Sequence, residues 1–126
     1  MFLVKANVII NENCKRDYLE VAEQTVLGIK TYVKGAIMQQ FLKSEDCRNK
    51  YCWIIMLTNE KALLEYFSSP VVALYNANHE ILGEDYDIEI YGELNNEVKE
   101  KLTNIGYQNK TFITEFGYNH IVEQNA

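Results

Sequence analysis

Residues 50–75 read KYCWIIMLTNEKALLEYFSSPVVALY, and this stretch decides the fold of the chain. It opens with Lys50–Thr58, a dense run of apolar residues that predicts a strand. Both faces of this strand are apolar, with Tyr51, Trp53, Ile55 and Leu57 on one and Cys52, Ile54 and Met56 on the other. A strand that is apolar on both sides belongs inside a sheet whose two faces are covered.

Two helices are predicted directly after this strand. The first runs over Glu60–Phe67, where Asn59 or Thr58 can serve as the N-cap. The second runs over Val71–Leu82. Pro70 suits its first turn because the N–H group that proline lacks would have no helical partner there. The stretch therefore combines a buried strand with a helical segment that ends and restarts at the proline.

Periodicity outside this stretch completes one folding unit. Alternation predicts further strands, and an apolar repeat every three or four residues predicts a long helix. Asn13 is the candidate N-cap of that helix and Gly35 a candidate left-handed C-cap. The additional elements are strand Phe2–Ile10, helix Cys14–Val33, strand Ala36–Lys43 and strand Tyr86–Leu94. The order β-α-β-β-α-β is that of the ferredoxin-like split unit, which is an α+β fold.

The chain continues beyond this unit, so we expect a ferredoxin-like domain over residues 1–94 and a C-terminal extension over 95–126. The extension is predicted to hold a helix over Asn96–Ile105 and a fifth strand over Lys110–Ile121. Since one sheet face carries the helices, the other needs an apolar cover, and a second copy of the same sheet supplies one. We expect a homodimer built sheet on sheet. The extension packs on that dimer or exchanges across it, and a lid over a ligand cavity is the alternative.

Composition limits the classes of function. The 126 residues carry a net charge of −6, which argues against a nucleic acid partner. No apolar run reaches the roughly 18 residues that span a bilayer, so no membrane partner is expected, and the first residues lack a signal-peptide pattern. The three cysteines, Cys14, Cys47 and Cys52, lack metal-binding spacing and are expected to be reduced thiols, which favours a cytoplasmic location.

The order of elements and several local motifs resemble the antibiotic biosynthesis monooxygenase (ABM) family of dimeric α/β barrels. The resemblance covers about residues 1–94 and rests on Lys34-Gly35-Ala36, on Glu45-Asp46 and on the segment LTNEKALLEYFSSPVVALY over 57–75. The residues of that segment that fit the family pattern are Glu60, Ala62, Leu63, Ser69, Pro70 and Tyr75. The chain departs from the pattern at Leu57, Ile55 and Tyr66, where the family often has tryptophan, glutamate and histidine.

The resemblance implies a homodimeric α/β barrel and a monooxygenase that needs no cofactor. Its substrate would be a small aromatic or quinol-like compound held in the barrel cavity. The residues assigned to this site are Asn7 and His79 as catalytic groups and Trp53, Leu57, Tyr66, Tyr75 and Asn76 as substrate-binding groups. An electron-rich phenolic substrate can supply the electrons itself, so the protein needs only a dry cavity and a few polar groups.

A subgroup of the family, the Isd-type monooxygenases, degrades haem and provides the first alternative. It uses an asparagine on the first strand, a tryptophan at the end of the third and a histidine ligand on the later helix. Asn7 matches the asparagine, whereas Leu57 replaces the tryptophan. Asn76 falls at the histidine position, and His79 follows three residues later. Haem is the cofactor of this alternative, with His79 as its ligand.

Each candidate residue also has a structural explanation. Asn7 can orient a ligand oxygen or pair with a neighbouring strand, and Trp53 can line an aromatic pocket or fill the core. Tyr66 and Tyr75 can donate hydrogen bonds to a substrate or only pack. His79 can bind iron, act as a general base or lie half-exposed on its helix. A non-catalytic dimeric module that binds a small ligand is the second alternative. If the site exists, Asn7 and Trp53 face the same cavity.

Overall fold

The computed structural model describes residues 1–107 and 110–118. The strands are β1 (Phe2–Ile10), β2 (Ala36–Lys43), β3 (Lys50–Leu57), β4 (Gly83–Tyr91) and β5 (Lys110–Phe112). The helices are α1 (Lys15–Tyr32), α2 (Glu60–Ser68), α3 (Pro70–Leu82) and α4 (Asn96–Ile105). The predicted β-α-β-β-α-β order is confirmed, with α2 and α3 together forming the second helical segment.

The strands form one mixed sheet in the order β2-β3-β1-β4-β5. β1 is antiparallel to both β3 and β4, and β2 is antiparallel to β3. β5 runs parallel to β4 and adds the fifth strand at one edge. The predicted ferredoxin-like α+β fold is therefore confirmed, and the two most apolar strands lie inside the sheet.

Within the described chain, the helices cover one face of the sheet. The even-numbered residues of β1 and the odd-numbered residues of β3 are buried in the core that the helices complete. Residues of the opposite face, among them Leu3, Ile54 and Met56, are half-buried. This sheet face also carries charged residues such as Lys5 and Glu89, and it remains partly exposed in the single chain.

Helix α1 begins later than a cap at Asn13 would require, so that prediction is wrong. A 3-10 turn over Glu12–Cys14 precedes α1, and Asn13 lies inside this turn. Asn11 is the capping residue, because its side-chain oxygen accepts a hydrogen bond from the Asn13 N–H at 3.0 Å. The extra turn moves the cap two residues towards the N-terminus.

The predicted left-handed conformation of Gly35 is also wrong. Helix α1 is closed by Val33, and Gly35 is not among the residues with positive φ. A glycine is needed there for space, since a Cβ atom at Gly35 would lie 2.3 Å from the Cβ of Ala62. The glycine allows α2 to approach the α1–β2 connection closely.

Local side chains set the break between α2 and α3. Asn59 accepts a hydrogen bond from the Ala62 N–H at 2.8 Å and caps α2, as predicted. Ser69 accepts one from the Val71 N–H at 3.1 Å, and Pro70 is the first residue of α3. The break allows α3 to take its own direction towards β4, with its last turn beside the first residue of that strand.

Strand β4 spans Gly83–Tyr91 and not the predicted Tyr86–Leu94. It starts early because its first residue pairs with Ile10 of β1 as soon as α3 ends. It stops before Gly92, which has a φ of 140° and whose backbone packs against the ring of Phe2. A positive φ is incompatible with continued strand geometry, so the chain turns away at this glycine.

The extension begins with α4, which is confirmed over Asn96–Ile105. It packs against α2 through a face that includes the buried Val98 and Leu102. Gly106 ends the helix in the left-handed conformation, with a φ of 104°. The described part of the extension thus packs on the domain of its own chain.

The predicted fifth strand is shorter than Lys110–Ile121. Only Lys110–Phe112 pairs with β4, and residues 113–118 lie outside any strand. Their side chains are exposed. The predicted end at Ile121 lies outside the described residues.

Candidate functional site

The pairing of β1 with β3 separates two residues that the sequence placed in one site. Ala6 lies opposite Trp53, and Asn7 lies opposite Cys52. Opposed residues of an antiparallel pair share a face, and successive residues alternate between faces. Trp53 therefore points towards the helices and Asn7 away from them. The prediction that Asn7 and Trp53 face the same cavity is wrong.

Beneath the helices, side chains from α1, β3 and α3 form an aromatic cluster. The Trp53 and Tyr75 rings meet edge to face with a centroid distance of 4.9 Å. Tyr75 meets Tyr18 at 5.9 Å, and Tyr18 meets His79 at 5.5 Å, both edge to face. All four side chains are buried. Edge-to-face contacts align the positive ring edges with the negative faces and stabilise the cluster.

The hydroxyl of Tyr18 links this cluster by hydrogen bonds. It bonds to the hydroxyl of Tyr75 and, at 2.7 Å, to Nδ1 of His79. The other imidazole nitrogen, Nε2, is buried and has no hydrogen-bond partner among the described residues. One nitrogen of His79 is therefore fixed by the protein, whereas the other is buried without a partner among the described residues, which is uncommon for a polar atom.

Burial lowers the pKa of His79, so its imidazole is neutral at pH 7. The main chain and carboxylate of Asp85 and the carboxylate of Glu80 raise this pKa in part, although the Asp85 main chain does not complete a hydrogen bond with Nε2. Burial raises the pKa of Tyr18 to about 12 and that of Tyr75 further. All three groups are thus uncharged at neutral pH.

His79 and Asn76, one turn apart on α3, line a cavity of about 490 Å³. The remaining walls come from β4, including Tyr86, and from the end of α4 and the two residues after it, including Tyr107. The Tyr86 hydroxyl donates to Oδ1 of Asn76 at 3.2 Å, and Nδ2 of Asn76 donates to the Tyr107 hydroxyl at 2.8 Å. The extension therefore contributes part of the wall, and the Asn76 amide is held at both ends.

Some of the predicted site residues line the cavity, and others lie behind its wall or in the core. Asn76 and His79 line the cavity. Trp53 and Tyr75 lie in the aromatic cluster behind His79. Leu57 is fully buried in the core at the end of β3. The site is therefore smaller, and closer to α3 and β4, than the sequence predicts.

Tyr66 and Trp53 are buried with different polar environments. Burial raises the pKa of Tyr66, and the neighbouring Tyr107 raises it further. The indole Nε1 of Trp53 has no hydrogen-bond partner among the described residues. Neither residue is part of the cavity wall.

Three residues of the site escaped prediction: Tyr18, Tyr86 and Tyr107. In the sequence, Tyr18 is one member of an amphipathic stripe and Tyr86 one member of an alternating strand. Tyr107 directly follows the glycine that ends α4. With nine tyrosines in the chain, no local signal marks these three. Their common role arises from tertiary contacts with His79 and Asn76.

Residues 1–107 and 110–118 contain no group of three or more His, Cys, Asp or Glu side chains placed to hold a metal ion. No helix within these ranges has the length and apolarity to cross a membrane. The three cysteines, Cys14, Cys47 and Cys52, are free thiols.

Several solved structures share this architecture. One from Caulobacter crescentus, named for the antibiotic biosynthesis monooxygenases, matches with a TM-score of 0.68 and 14% identity, covering 75% of this chain and 90% of its own. Another of that name, from Deinococcus radiodurans, matches with a TM-score of 0.68 and 13% identity over 76% and 97%. The chain has the ABM fold. The predicted resemblance is confirmed at this level, whereas the likeness to the Isd-type subgroup stays a prediction.

The ABM fold of this chain also matches a structure that includes the extension. MupZ from Pseudomonas fluorescens is similar with a TM-score of 0.75 and 13% identity, covering 97% of this chain and 98% of its own. No protein-family model and no curated protein matches the sequence. The likeness is therefore one of fold, and it extends past residue 94, beyond the ferredoxin-like unit.

Proposed function

We propose that the protein is a cofactor-independent monooxygenase that acts on a small aromatic or quinol-like compound in the cavity between α3, β4 and α4. The state of His79 carries this proposal: it is a neutral imidazole in the cavity wall, and its Nε2 has no partner among the described residues. A buried polar atom without a partner is uncommon and points to a ligand. The ABM fold agrees with this function.

The reaction needs a substrate that supplies its own electrons. A bound hydroquinone loses its phenolic proton to solvent, and the resulting anion passes one electron to O2. The two radicals combine through a new C–O bond, and the ring peroxide takes up a proton to give a ring hydroperoxide. Loss of the ring proton at that carbon breaks the O–O bond, releases water and leaves a carbonyl. One hydroquinone and one O2 thus give one hydroxyquinone and one water, and the hydroquinone provides every electron.

The chain's own residues hold the substrate and exclude water. His79 binds the reacting oxygen, and the surrounding rings provide a dry wall in which this interaction is strong. Burial raises the pKa of both Tyr86 and Tyr107, so their phenols stay protonated. They can therefore donate hydrogen bonds but do not form phenolates that compete with the substrate for O2.

The charges of the wall favour a substrate that enters uncharged. Glu80 lines the cavity, whereas Asp87 lies opposite Asn7, points to the other sheet face and pairs there with Lys110 at an Oδ1–Nζ distance of 3.4 Å. Among the described lining residues none is a lysine or arginine. A carboxylate or phosphate on the substrate would therefore meet repulsion without a compensating cation.

The same residues do not fit haem. Haem carries two propionates, for which the described lining residues provide no lysine or arginine. Asn7 lies on the opposite sheet face, and Leu57 lies in the core, so two of the three subgroup positions are remote from His79's cavity. We expect no saturable Soret shift in a haem titration, and a shift that disappears in His79→Ala would contradict this expectation.

We also propose that the exposed sheet face forms a homodimer, and that the free thiols place the protein in the cytoplasm. A charge on that face is expected to disrupt the dimer. Ile54→Glu, on the half-buried face, should convert dimer to monomer in sedimentation velocity. Ile81→Glu, the same change at a position that is 75% exposed on α3, should leave the dimer intact.

Oxygen uptake tests the proposed activity. Purified protein is mixed with substituted hydroquinones in an oxygen electrode, and the product is quantified. We expect one hydroxyquinone per O2, with His79→Gln lowering kcat/KM on the order of 100-fold. Tyr32→Phe, at an exposed position remote from this cavity, is the control. Binding of the hydroquinones without oxygen uptake would replace the proposal with the non-catalytic ligand-binding module.

A further inference from the structure

Two chains of hydrogen bonds, or relays, end at the cavity wall. The direction in which each relay donates its protons determines whether it offers a ligand a hydrogen-bond donor or an acceptor. The first relay connects Tyr75, Tyr18 and Nδ1 of His79. Each phenol carries one proton and can accept others, and a neutral imidazole carries one N–H. The relay can therefore run in only two directions.

In one direction, Tyr75 donates to Tyr18 and Tyr18 donates to Nδ1, which leaves the imidazole proton on Nε2. In the other, Nδ1–H donates to Tyr18 and Tyr18 donates to Tyr75. The Tyr75 proton then needs a further acceptor, and the described residues provide none for this buried hydroxyl. The second direction leaves two buried groups unpaired, Tyr75 O–H and the Nε2 lone pair, whereas the first leaves one.

Neighbouring charges favour the first direction as well. The carboxylates of Asp85 and Glu80 act on the ring of His79. Negative charge near the unpaired nitrogen favours an N–H group over a bare lone pair. His79 lines the cavity, and its Nε2 is buried without a partner among the described residues.

The second relay also donates its protons in the direction of a group at the cavity wall. Tyr86 donates to Asn76, and Asn76 donates to the oxygen of Tyr107. The Tyr107 hydroxyl accepts in this bond, so it keeps its own proton, for which the described residues provide no acceptor. This second relay also ends in a donor at the cavity wall, on the extension rather than on α3.

We infer that the cavity presents two hydrogen-bond donors, His79 Nε2–H and Tyr107 O–H, and selects an aromatic ligand by its acceptor oxygens, as in an aromatic ketone, a quinone or a phenolate. Tyr18 and Tyr75 are positioning residues that keep the proton of His79 on Nε2. The inference rests on the proposed function for the location of the site and names the substrate class. His79 accordingly binds the ionised or carbonyl oxygen of the substrate and does not remove its proton.

Nitrogen NMR of the wild-type protein tests the first relay without any substitution. Protonated and unprotonated imidazole nitrogens resonate far apart, so the tautomer is read directly. We expect a protonated Nε2 and an unprotonated Nδ1, unchanged in Tyr75→Phe because Tyr18 still donates, and a mixture of tautomers in Tyr18→Phe. A protonated Nδ1 in the wild type overturns the assignment.

Binding of 1-tetralone, an aromatic ketone that does not react with thiols, tests the ligand class. Tetralin has the same carbon frame without the oxygen and serves as the matched compound. We expect Tyr107→Phe and Tyr18→Phe each to weaken 1-tetralone binding about tenfold, with tetralin unaffected. The carbonyl stretch of bound 1-tetralone should move to lower wavenumber in the wild type and less so in Tyr107→Phe.

Equal binding of 1-tetralone and tetralin, or no binding of 1-tetralone, overturns the inference. Its failure can be told apart from failure of the proposed function. Donor-dependent 1-tetralone binding without oxygen uptake supports the inference and removes the monooxygenase. Oxygen uptake by a protein whose His79 is protonated on Nδ1 supports the monooxygenase and removes the inference.

Discussion

The main chain of Gly83 lies against the imidazole ring of His79. A Cβ atom at Gly83 would come within 2.4 Å of Cε1 and 2.5 Å of Nδ1, far closer than non-bonded atoms approach. Tyr18 bonds to Nδ1 of the same ring. The orientation of His79 is therefore fixed by a steric contact and by a hydrogen bond, and the first residue of β4 is part of the support for the site.

Gly83→Ala is expected to displace this ring and lengthen its bond to Tyr18. Overpacking of this kind costs about 1–3 kcal/mol of unfolding free energy, and affinity for 1-tetralone should fall together with it. Urea denaturation and calorimetric titration measure the two effects. Gly28→Ala is the matched control, because its Cβ would press on Val71 at 2.8 Å, and it should alter stability without altering affinity. Wild-type affinity in Gly83→Ala would show that His79 does not contact the ligand.

The lowered pKa of His79 predicts a loss of stability in mild acid. The unfolded chain binds a proton near the ordinary pKa of 6.5, whereas the buried ring binds it only at lower pH. Its contribution is complete above pH 6.5 and is lost as the pH falls through the pKa of the folded state. Urea unfolding at about pH 7.5 and about pH 5.5, above the range where carboxylates titrate, should show this loss.

His79→Gln provides the comparison for that experiment, because it removes the titrating group and leaves the other histidine in place. The variant should lose less stability than the wild type between the two pH values. Equal losses in both proteins would mean that His79 protonates as easily when folded as when unfolded.

Trp53→Phe is expected to change stability little. Loss of ring volume destabilises the core, but the change also removes Nε1, which is buried without a partner among the described residues. An unpaired buried donor costs about 1–3 kcal/mol, so the two effects largely cancel. Trp53→Ala removes the contact with Tyr75 and should cost about 3–5 kcal/mol. Equal losses for the two variants in urea denaturation would indicate that an unseen acceptor satisfies the indole.

Asn7→Ala is expected to leave ligand affinity unchanged within about 0.5 kcal/mol. The side chain lies on the sheet face opposite Trp53, whereas His79 packs on Tyr75, which in turn packs on Trp53. Titration of 1-tetralone into Asn7→Ala and into His79→Gln compares the affinity lost on removing a side chain from the open sheet face with that lost on removing one from the cavity wall. A large loss in Asn7→Ala would require the ligand to bind on the open sheet face, or between two copies of the chain.

Much of the architecture could be predicted because it depends on local repeats and caps. The alternation in residues 2–10 and the double-sided apolar run in residues 50–57 identify the inner strands, and Asn59 and Pro70 mark helix starts. Errors occur where a neighbour decides the local structure. Gly35 is required by contact with Ala62, and β4 starts at Gly83 because Ile10 is there to pair with it.

The candidate site was predicted only in part, for a related reason. His79 and Asn76 share one face of a helix, which sequence spacing reveals. Tyr18 is 61 positions from His79 and Tyr107 is 31 positions from Asn76, and neither pair has a local signature. The misplacement of Asn7 is of the same kind, because a shift of one residue in register reverses the face of every side chain in a strand.

The sequence by itself determined the elements, their order and the apolar faces, since the repeat of a helix or strand is set by backbone geometry within a few residues. The tertiary structure alone decided that Asn7 faces away from Trp53 and that two tyrosine relays meet at one cavity. Those facts depend on strand register and on the approach of α1, α3 and α4 to β4. Such contacts join residues distant in the chain, and the free energy that selects them comes from packing of the whole core rather than from any local motif.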